Sequence, residues 1–371
     1  MRRIHLPLAF ALPFALIACS PDTPPPAVDY SGPVADWSAY GASSGGGHFS
    51  AATQITPANV RYLQKAWEYR SGDFRRAGEA TMELVAGQQQ PLPATSWQMT
   101  PLLAEGTLYG CSSYNRMFAL DPVSGREKWS FDPGVDGNKE ALANCRGVSY
   151  WKSPAPTGAH CDSRVIGGTL DGRLIAVDAK DGKPCAGFGV NGQVSLAEGL
   201  GEYQEHEYSV SSPPAIVGER IVTGAMVIDR LHNNTPSGVV RAYDVRAGRL
   251  DWFWDAVPPG EKPVFDEHGV PRYRRGTTNV WSIISADPAR DLVFLPTGNT
   301  STDFYGGLRN GIDYYSSSVV ALRASTGELI WHYQMVHHDV WDYDTPAQPT
   351  LFELERGGQR IPALAQATKM G

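Results

Sequence analysis

Phe118-Ala119-Leu120-Asp121 … Gly125-Arg126-Glu127-Lys128-Trp129 is the line that decides the fold, because it returns three more times. The further copies are Ile175-Ala176-Val177-Asp178 … Gly182, then Arg241-Ala242-Tyr243-Asp244 … Gly248 … Trp252, then Val320-Ala321-Leu322-Arg323 … Gly327 … Trp331. Each reads as a short buried strand, a tight turn opened by Asp and closed by Gly, and a second strand whose Trp packs a sheet edge. The second copy lacks the Trp and the fourth lacks the Asp. Self-similarity of this kind is the signature of a repeat architecture. The repeated glycines lie further apart than the roughly 40–50 residues of a four-stranded propeller blade. The excess is expected in inserted loops, where sites are built on a rigid scaffold.

Around the repeat, runs such as Arg220-Ile221-Val222-Thr223 and Leu292-Val293-Phe294-Leu295 fit strands, and no stretch carries the sustained 3.6-residue period of an amphipathic helix. An all-β propeller is therefore expected. Four recurrences do not close a ring of this kind. The chain reaches Lys369-Met370-Gly371 just after an apolar strand start at Ile361-Pro362-Ala363-Leu364-Ala365, with no segment left to pair with the first strand. It reads as the N-terminal part of a longer protein.

Composition narrows the function. Lys+Arg 32 against Asp+Glu 39 give a net charge of −7 over 371 residues, which argues against a nucleic-acid binder, whose footprint would be basic. Gly 39 and Pro 28 make the chain turn-rich, yet 42% apolar residues and ten Trp supply a core, so the composition is not that of disorder.

The first segment is an address. Arg2 and Arg3 precede an apolar run from Leu6 to Ala18 that is too short to span a membrane, the pattern of a secretory signal. Its end, Leu16-Ile17-Ala18-Cys19, resembles the bacterial lipobox, in which cleavage leaves the cysteine as a lipid-bearing N-terminus. Pro21, Pro24, Pro25, Pro26 and Pro33 make residues 20–35 a stiff extended tether. The expected organisation is a lipoprotein-type signal peptide over 1–19, the tether over 20–35 and a truncated propeller over 36–371, exported to the periplasmic side and lipid-anchored to a membrane. In an oxidising compartment Cys111, Cys145, Cys161 and Cys185 allow two disulfides in any of three pairings, or buried thiols. No C-x-x-C-H occurs, so this segment carries no site for covalently attached haem.

Several further stretches are shared with a known family. They begin at Trp37-Ser38-Ala39-Tyr40-Gly41 and Asn59-Val60 … Ala66-Trp67, and pass through Cys145-Arg146-Gly147-Val148-Ser149-Tyr150-Trp151 and Thr169-Leu170-Asp171-Gly172-Arg173-Leu174. They continue with Ser211-Ser212-Pro213-Pro214 and Pro296-Thr297-Gly298-Asn299, and peak at His337-His338-Asp339-Val340-Trp341-Asp342-Tyr343-Asp344. On these motifs the sequence resembles the pyrroloquinoline quinone (PQQ) dependent dehydrogenases, in the branch of membrane-associated glucose, quinate and polyol enzymes. The resemblance implies an eight-bladed propeller with PQQ and a divalent cation, Ca²⁺ or Mg²⁺, near its axis. It implies oxidation of a sugar, polyol or cyclic hydroxy acid hydroxyl, with electrons passed to a quinone. The lipobox-like cysteine stands where the glucose enzymes of this branch carry membrane helices.

The resemblance also assigns roles. Asp342 falls at the catalytic base, a positioned carboxylate able to take the hydroxyl proton during hydride transfer. A nearby dication would hold that carboxylate ionised. Asn299 matches an amide ligand of the cation; Asp229 is either a carboxylate ligand or a solvent-facing charge, since Arg230 replaces the Asn that usually follows. Asp342 completes the expected metal set. Trp281 matches the stacking tryptophan, and Arg146 the arginine that forks a PQQ carboxylate. Thr169 and Ser212 are hydroxyl candidates for the same carboxylates. Lys369 aligns with a lysine beside the reactive quinone oxygen, where it would stabilise developing negative charge. Gln98 lies where other branches place a Glu. His337 and His338, read as strand neighbours facing opposite ways, are expected to shape the substrate side rather than share a metal. The competing reading is a non-catalytic lipoprotein propeller that scaffolds envelope assembly. The polar set Arg146, Trp281, Asn299, Asp342 and Lys369 is what a scaffold has no reason to assemble.

Overall fold

The computed structural model describes residues 36–371 other than Ala86 and Leu231, so the signal-like segment and the proline tether lie outside the described residues. Residues 51–65 form a unit of their own, a 3-10 turn at Val60–Tyr62 entered through Asn59. The Asn59 carboxamide accepts from the Thr56 amide at 2.7 Å and donates to the Gln54 carbonyl at 2.8 Å, which fixes the approach. The remainder is one β unit. No helix among the described residues is long and apolar enough to cross a membrane.

Four antiparallel four-stranded sheets follow one another, each in simple up-and-down order. Blade 1 comprises Leu102–Ala104, Thr107–Cys111, Met117–Leu120 and Glu127–Phe131; blade 2, Ser149–Lys152, Ser163–Gly168, Arg173–Asp178 and Gln193–Ser195. Blade 3 comprises Ala215–Val217, Arg220–Thr223, Val240–Asp244 and Leu250–Trp254; blade 4, Ser285–Asp287, Leu292–Pro296, Ser318–Arg323 and Leu329–Gln334. A fifth sheet pairs Thr350–Arg356 with Gln359–Ala365. The first strands of successive sheets touch one another in turn, so they surround a common axis, and the fourth strands lie outermost. The all-β expectation holds, and the insertions do fall in loops, such as residues 255–284 with their small hairpin of Val264–Phe265 and Pro271–Arg272.

The recurring line is the third strand, its turn and the fourth strand. In blade 1 the Gly125 amide closes the turn on the Asp121 carbonyl at 2.9 Å, while the Asp121 carboxylate accepts from the Ser124 amide at 2.8 Å. In blade 4, where Arg323 replaces Asp, the main-chain bond alone closes the turn, Gly327 to Arg323 at 2.8 Å. The Trp of one blade then lies on the turn glycine of the next. A methyl group added to Gly182 would sit 2.6 Å from the Trp129 ring, and one added to Gly327 would sit 2.6 Å from the Trp252 ring. These glycines also hold φ near +70°, so both shape and backbone exclude other residues. The indole nitrogens of Trp129 and Trp252 donate to the carbonyls of Ala179 and Ala324 at 3.0 and 2.9 Å. Trp67 docks on Gly125 in the same way and donates to the Pro122 carbonyl.

Blade 2 has Val194 where its neighbours have Trp, and Val194 and Phe188 fill the contact with Gly248. That joint is reinforced by Arg164, whose guanidinium donates to the carbonyls of Val245 and Arg246 at 2.8 Å each. The apolar core lies between blades rather than within one, as where Ile166, Leu174 and Phe188 meet Ile221 and Tyr243. Residues 37–46 cross the inner end of the unit. Trp37 pairs with Leu103 of blade 1, while the carbonyls of Ser44 and Gly45 accept from Ala286 of blade 4 and Leu351 of the fifth sheet at 2.8 Å.

The disulfides resolve the three pairings left open by sequence: Cys111 bonds Cys145 and Cys161 bonds Cys185. The first ties blade 1 to the residue before Arg146.

Asp255, at the end of the outer strand of blade 3, is pushed to a pKa of about 6 by burial, although the Arg274 amide and Ser237 hydroxyl bond its carboxylate and pull the other way. Its folded pKa lies above the unfolded value of about 3.9, so the folded state holds the proton more tightly. The cost of the buried charge therefore appears as pH rises from about 4 to 6. Asp255→Asn is expected to gain about 2 kcal/mol relative to wild type between pH 4 and pH 7, read by urea denaturation at each pH. An identical difference at both pH values would refute this.

Candidate functional site

Two kinds of position converge at one end of the axis, and the antiparallel blades explain why. A first strand begins at the end where the second strand of its blade finishes. Arg146, Ser212, Trp281 and Asp344 each stand just ahead of a first strand, in blades 2, 3 and 4 and in the fifth sheet. Thr169 and Asn299 follow the second strands of blades 2 and 4, and Asp229 follows Met226–Val227, a short strand after the second strand of blade 3 that pairs with Tyr208–Ser209.

The Arg146 guanidinium donates to the hydroxyls of Ser211 and Ser212 at 2.5 and 3.4 Å and lies 5.0 Å from the centre of the Trp281 ring. Ser212 in turn donates to the Trp281 carbonyl at 2.6 Å. Burial lowers the pKa of Arg146, and among the described residues its bonding partners are neutral hydroxyls. A half-buried cation beside an indole face, with no carboxylate of its own, fits a flat anionic ligand.

The Trp-Asp motif folds around Asp339, which is fully buried. Its carboxylate accepts from the Ser317 hydroxyl at 2.7 Å and from the amides of Trp341 and Tyr343 at 2.9 and 2.7 Å. That turn places Asp342 at φ 59°, a left-handed conformation that Asp tolerates better than most residues, and aims it at the cavity. Lys369 donates to the Asp342 carbonyl at 2.6 Å, to its carboxylate at 3.0 Å and to the Asp344 carboxylate at 3.4 Å. Asp344 also accepts from the Asn299 amide at 2.5 Å and from the Trp281 indole nitrogen at 3.2 Å. Gly298 permits this approach, since a methyl group there would lie 2.8 Å from the Asp344 carboxylate.

A cavity of about 210 Å³ is lined by Arg146, Asp229, Trp281, Asp303, Asp342 and Asp344. Burial raises the pKa of Asp229 well above the usual range, and the carboxylates of Asp303 and Asp344 add to it. Asp303 is pushed up to about 6 by burial and then by Asp342 and Asp344. Asp344 is likewise raised to about 6 by burial, with Lys369 opposing and Asp342 adding. Burial alone would lower Lys369, but Asp344 and Asp342 outweigh it and raise the ammonium. The cavity thus gathers four carboxylates, with Arg230 beside Asp303 and the Arg146 guanidinium against Trp281.

Residues 37–371 match the PQQ glucose/ethanol/alcohol dehydrogenase beta-propeller domain. The chain belongs to this family. It is 38% identical over 363 residues to the quinate/shikimate dehydrogenase (quinone) of Acinetobacter baylyi, covering 93% of this chain and 43% of that one. It is 39% identical to the quinoprotein glucose dehydrogenase of Escherichia coli, covering 91% and 42%. Among solved structures, the quinohemoprotein alcohol dehydrogenase of Comamonas testosteroni superposes with a TM-score of 0.69 at 25% identity, covering 90% of this chain and 46% of that one. The chain spans less than half the length of the curated relatives it matches.

Within this PQQ dehydrogenase propeller most of the residues singled out by sequence meet, and some do not. Arg146, Ser212, Trp281, Asn299, Asp342 and Lys369 are joined by the contacts above, and Asp229 lines the same cavity. Thr169 stands apart, fully buried, its hydroxyl spent on Asp171 at 2.5 Å and on its own turn. Gln98 is exposed and donates to Ser96. His337 and His338 occupy a turn, not a strand, so the alternation expected for them does not apply; His338 pairs with Asp313 at 2.8 Å. Sequence reasoning missed Asp303 and Asp344. Asp344 was within the quoted motif, whereas Asp303 is one loop aspartate with no pattern around it.

Proposed function

We propose that the protein of which this chain is part oxidises a hydroxyl of a sugar, polyol or cyclic hydroxy acid with PQQ and a divalent cation, and passes the electrons to a quinone. The observation that carries this reading is the meeting of a guanidinium, an indole face, a carboxylate base and an ammonium around one cavity of about 210 Å³. Trp281 offers the flat face for PQQ, and Arg146 with Ser212 the donors for its carboxylates, Thr169 remaining a more distant candidate. Asp229, Asn299 and Asp342 offer oxygen donors suited to Ca²⁺ or Mg²⁺. Bound there, PQQ would supply the carbonyl that accepts a hydride and the cation the charge that polarises it.

This chain's residues do the rest. Asp342, 35% exposed at its side chain, is open to a substrate hydroxyl and takes its proton at a carboxylate oxygen. Lys369 holds a positive charge beside that carboxylate, placed to stabilise the negative charge that would develop on the oxygen of the hydride-accepting carbonyl. Asp344 anchors Lys369 and Trp281 together, so that the base, the ammonium and the aromatic floor are held by one carboxylate. An exported, periplasmic-side location with a lipid anchor at Cys19 agrees with the two disulfides. The proposed division into signal, tether and propeller at residues 19 and 35 goes with it.

The reading is tested by reconstituting the full-length protein with PQQ and Ca²⁺ and following dye reduction with glucose, quinate, glycerol and inositol. No PQQ binding and no turnover on any of them would remove it. Lys369→Met is expected to lower kcat by about 10²–10³ while leaving PQQ absorbance at saturation intact, the usual effect of deleting one electrostatic donor.

A further inference from the structure

At one wall of the cavity two lining carboxylates, Asp229 and Asp303, meet the buried amide of Asn279. Asp303 is 2% exposed and Asn279 1% exposed. The carboxyls of Asp303 and Asp229 lie in hydrogen-bonding reach of one another, and the Asn279 amide nitrogen donates to Asp229 at 3.2 Å. Yet Asp303 Oδ1 and Asn279 Oδ1 are both buried without a hydrogen-bond partner among the described residues. Buried oxygens of this kind are costly and rare unless something else satisfies them.

The surrounding chain holds Asp303 in this position. Asn299 donates its side-chain amide to the Asp303 carbonyl at 3.1 Å. Arg309, itself buried, donates to the carbonyls of Thr302 and Asp303 at 2.8 and 3.2 Å and to that of Asp339 at 2.5 Å. Its guanidinium clamps the loop through these carbonyls and also pairs with Asp313 at 3.7 Å, while the Asp303 carboxylate lines the cavity. Lys369 is committed at the other side, to Asp342 and Asp344. Asp342 and Asp344 therefore share the Lys369 ammonium, while Asp229 and Asp303 face each other beside Arg230, whose charge opposes the rise in the Asp303 pKa without cancelling it.

We propose that the Asp303 carboxylate is a direct ligand of the divalent cation, bound together with Asp229 and the side-chain carbonyl oxygen of Asn279. This rests on the function proposed above and extends it, because neither Asp303 nor Asn279 was among the donors named there. Hard oxygen donors in this number suit Ca²⁺, which takes six to eight. Asn299 has a second part in this arrangement, since its amide nitrogen fixes the loop that carries Asp303.

The test is calorimetric titration of chelator-treated full-length protein with Ca²⁺ alone, without PQQ or substrate. Asp303→Asn is expected to weaken Ca²⁺ about 100-fold, at the upper end of what even an outer ligand partner contributes. Asp229→Asn should lose at least as much, and Asp181→Asn in the blade 2 turn nothing. If Asp303→Asn binds Ca²⁺ as wild type does while Asp229→Asn has lost it, the cation site stands and Asp303 is not its ligand. If wild type binds no Ca²⁺ at all, the wider reading falls first. Should Asp303→Asn fail to fold by circular dichroism, Asp303→Glu decides: it keeps the charge but lengthens the arm, and is expected to bind Ca²⁺ about tenfold more weakly. Wild-type affinity in that variant overturns the proposal.

Discussion

Asp342→Asn in the full-length protein is expected to lower kcat by about 10³-fold or more, within the 10²–10⁴ that positioned acid–base groups contribute. The amide is nearly the same size and leaves the Lys369 bond to the Asp342 carbonyl in place. Asp344 still holds the ammonium from its other side. The architecture therefore survives while the proton acceptor is gone. PQQ titration followed by its absorbance should give an affinity within a few-fold of wild type, so that the loss falls on the chemical step. Turnover near wild type would remove Asp342 from the role of base, and loss of PQQ binding would make it a structural residue instead.

The second large effect concerns the joints. Trp252→Ala should cost about 3–5 kcal/mol of stability, the range for truncating a buried aromatic side chain. Trp252 is 7% exposed, covers Gly327 of the next blade and donates to Ala324. Removing it opens a void and leaves that carbonyl without its donor. Trp331 occupies the same place in blade 4 but is 39% exposed, so Trp331→Ala should cost this chain clearly less. Urea denaturation of the two variants side by side measures the difference. Equal losses would mean that the Trp-on-Gly contact is not what couples blades.

Both effects were foreshadowed in the sequence to different degrees. The recurring Asp-turn-Gly-Trp line gave the strands, the turns and the position of the packing tryptophans, because each of those is set locally. Sequence gave no hint of where the Trp lands, on the glycine of the following blade, because that contact joins residues from separate repeats. Asp342 and Lys369 were legible through a specific motif and its spacing, and the structure brings them within 3.0 Å. Asp303 was not. Its significance comes from one buried oxygen that has no hydrogen-bond partner among the described residues, and no one-dimensional pattern records a missing partner. The disulfides were ambiguous for a related reason, since four cysteines permit three pairings and only the blade geometry selects one. Thr169 shows a different limit of sequence: its place in the chain parallels that of Asn299, but its hydroxyl also accepts from the Arg173 amide in a local turn, as Ser and Thr commonly do.

The segment at residues 37–46 gives the site a property that no single blade has. It runs like a bowstring from Leu103 in the first sheet to Ala286 and Leu351 in the fourth and fifth, and so fixes the curvature of the arc those sheets describe. Arg146 sits near one end of the arc and Asp342 near the other. The spacing between them is therefore held by the main-chain hydrogen bonds of this cord as well as by the side chains that line the cavity.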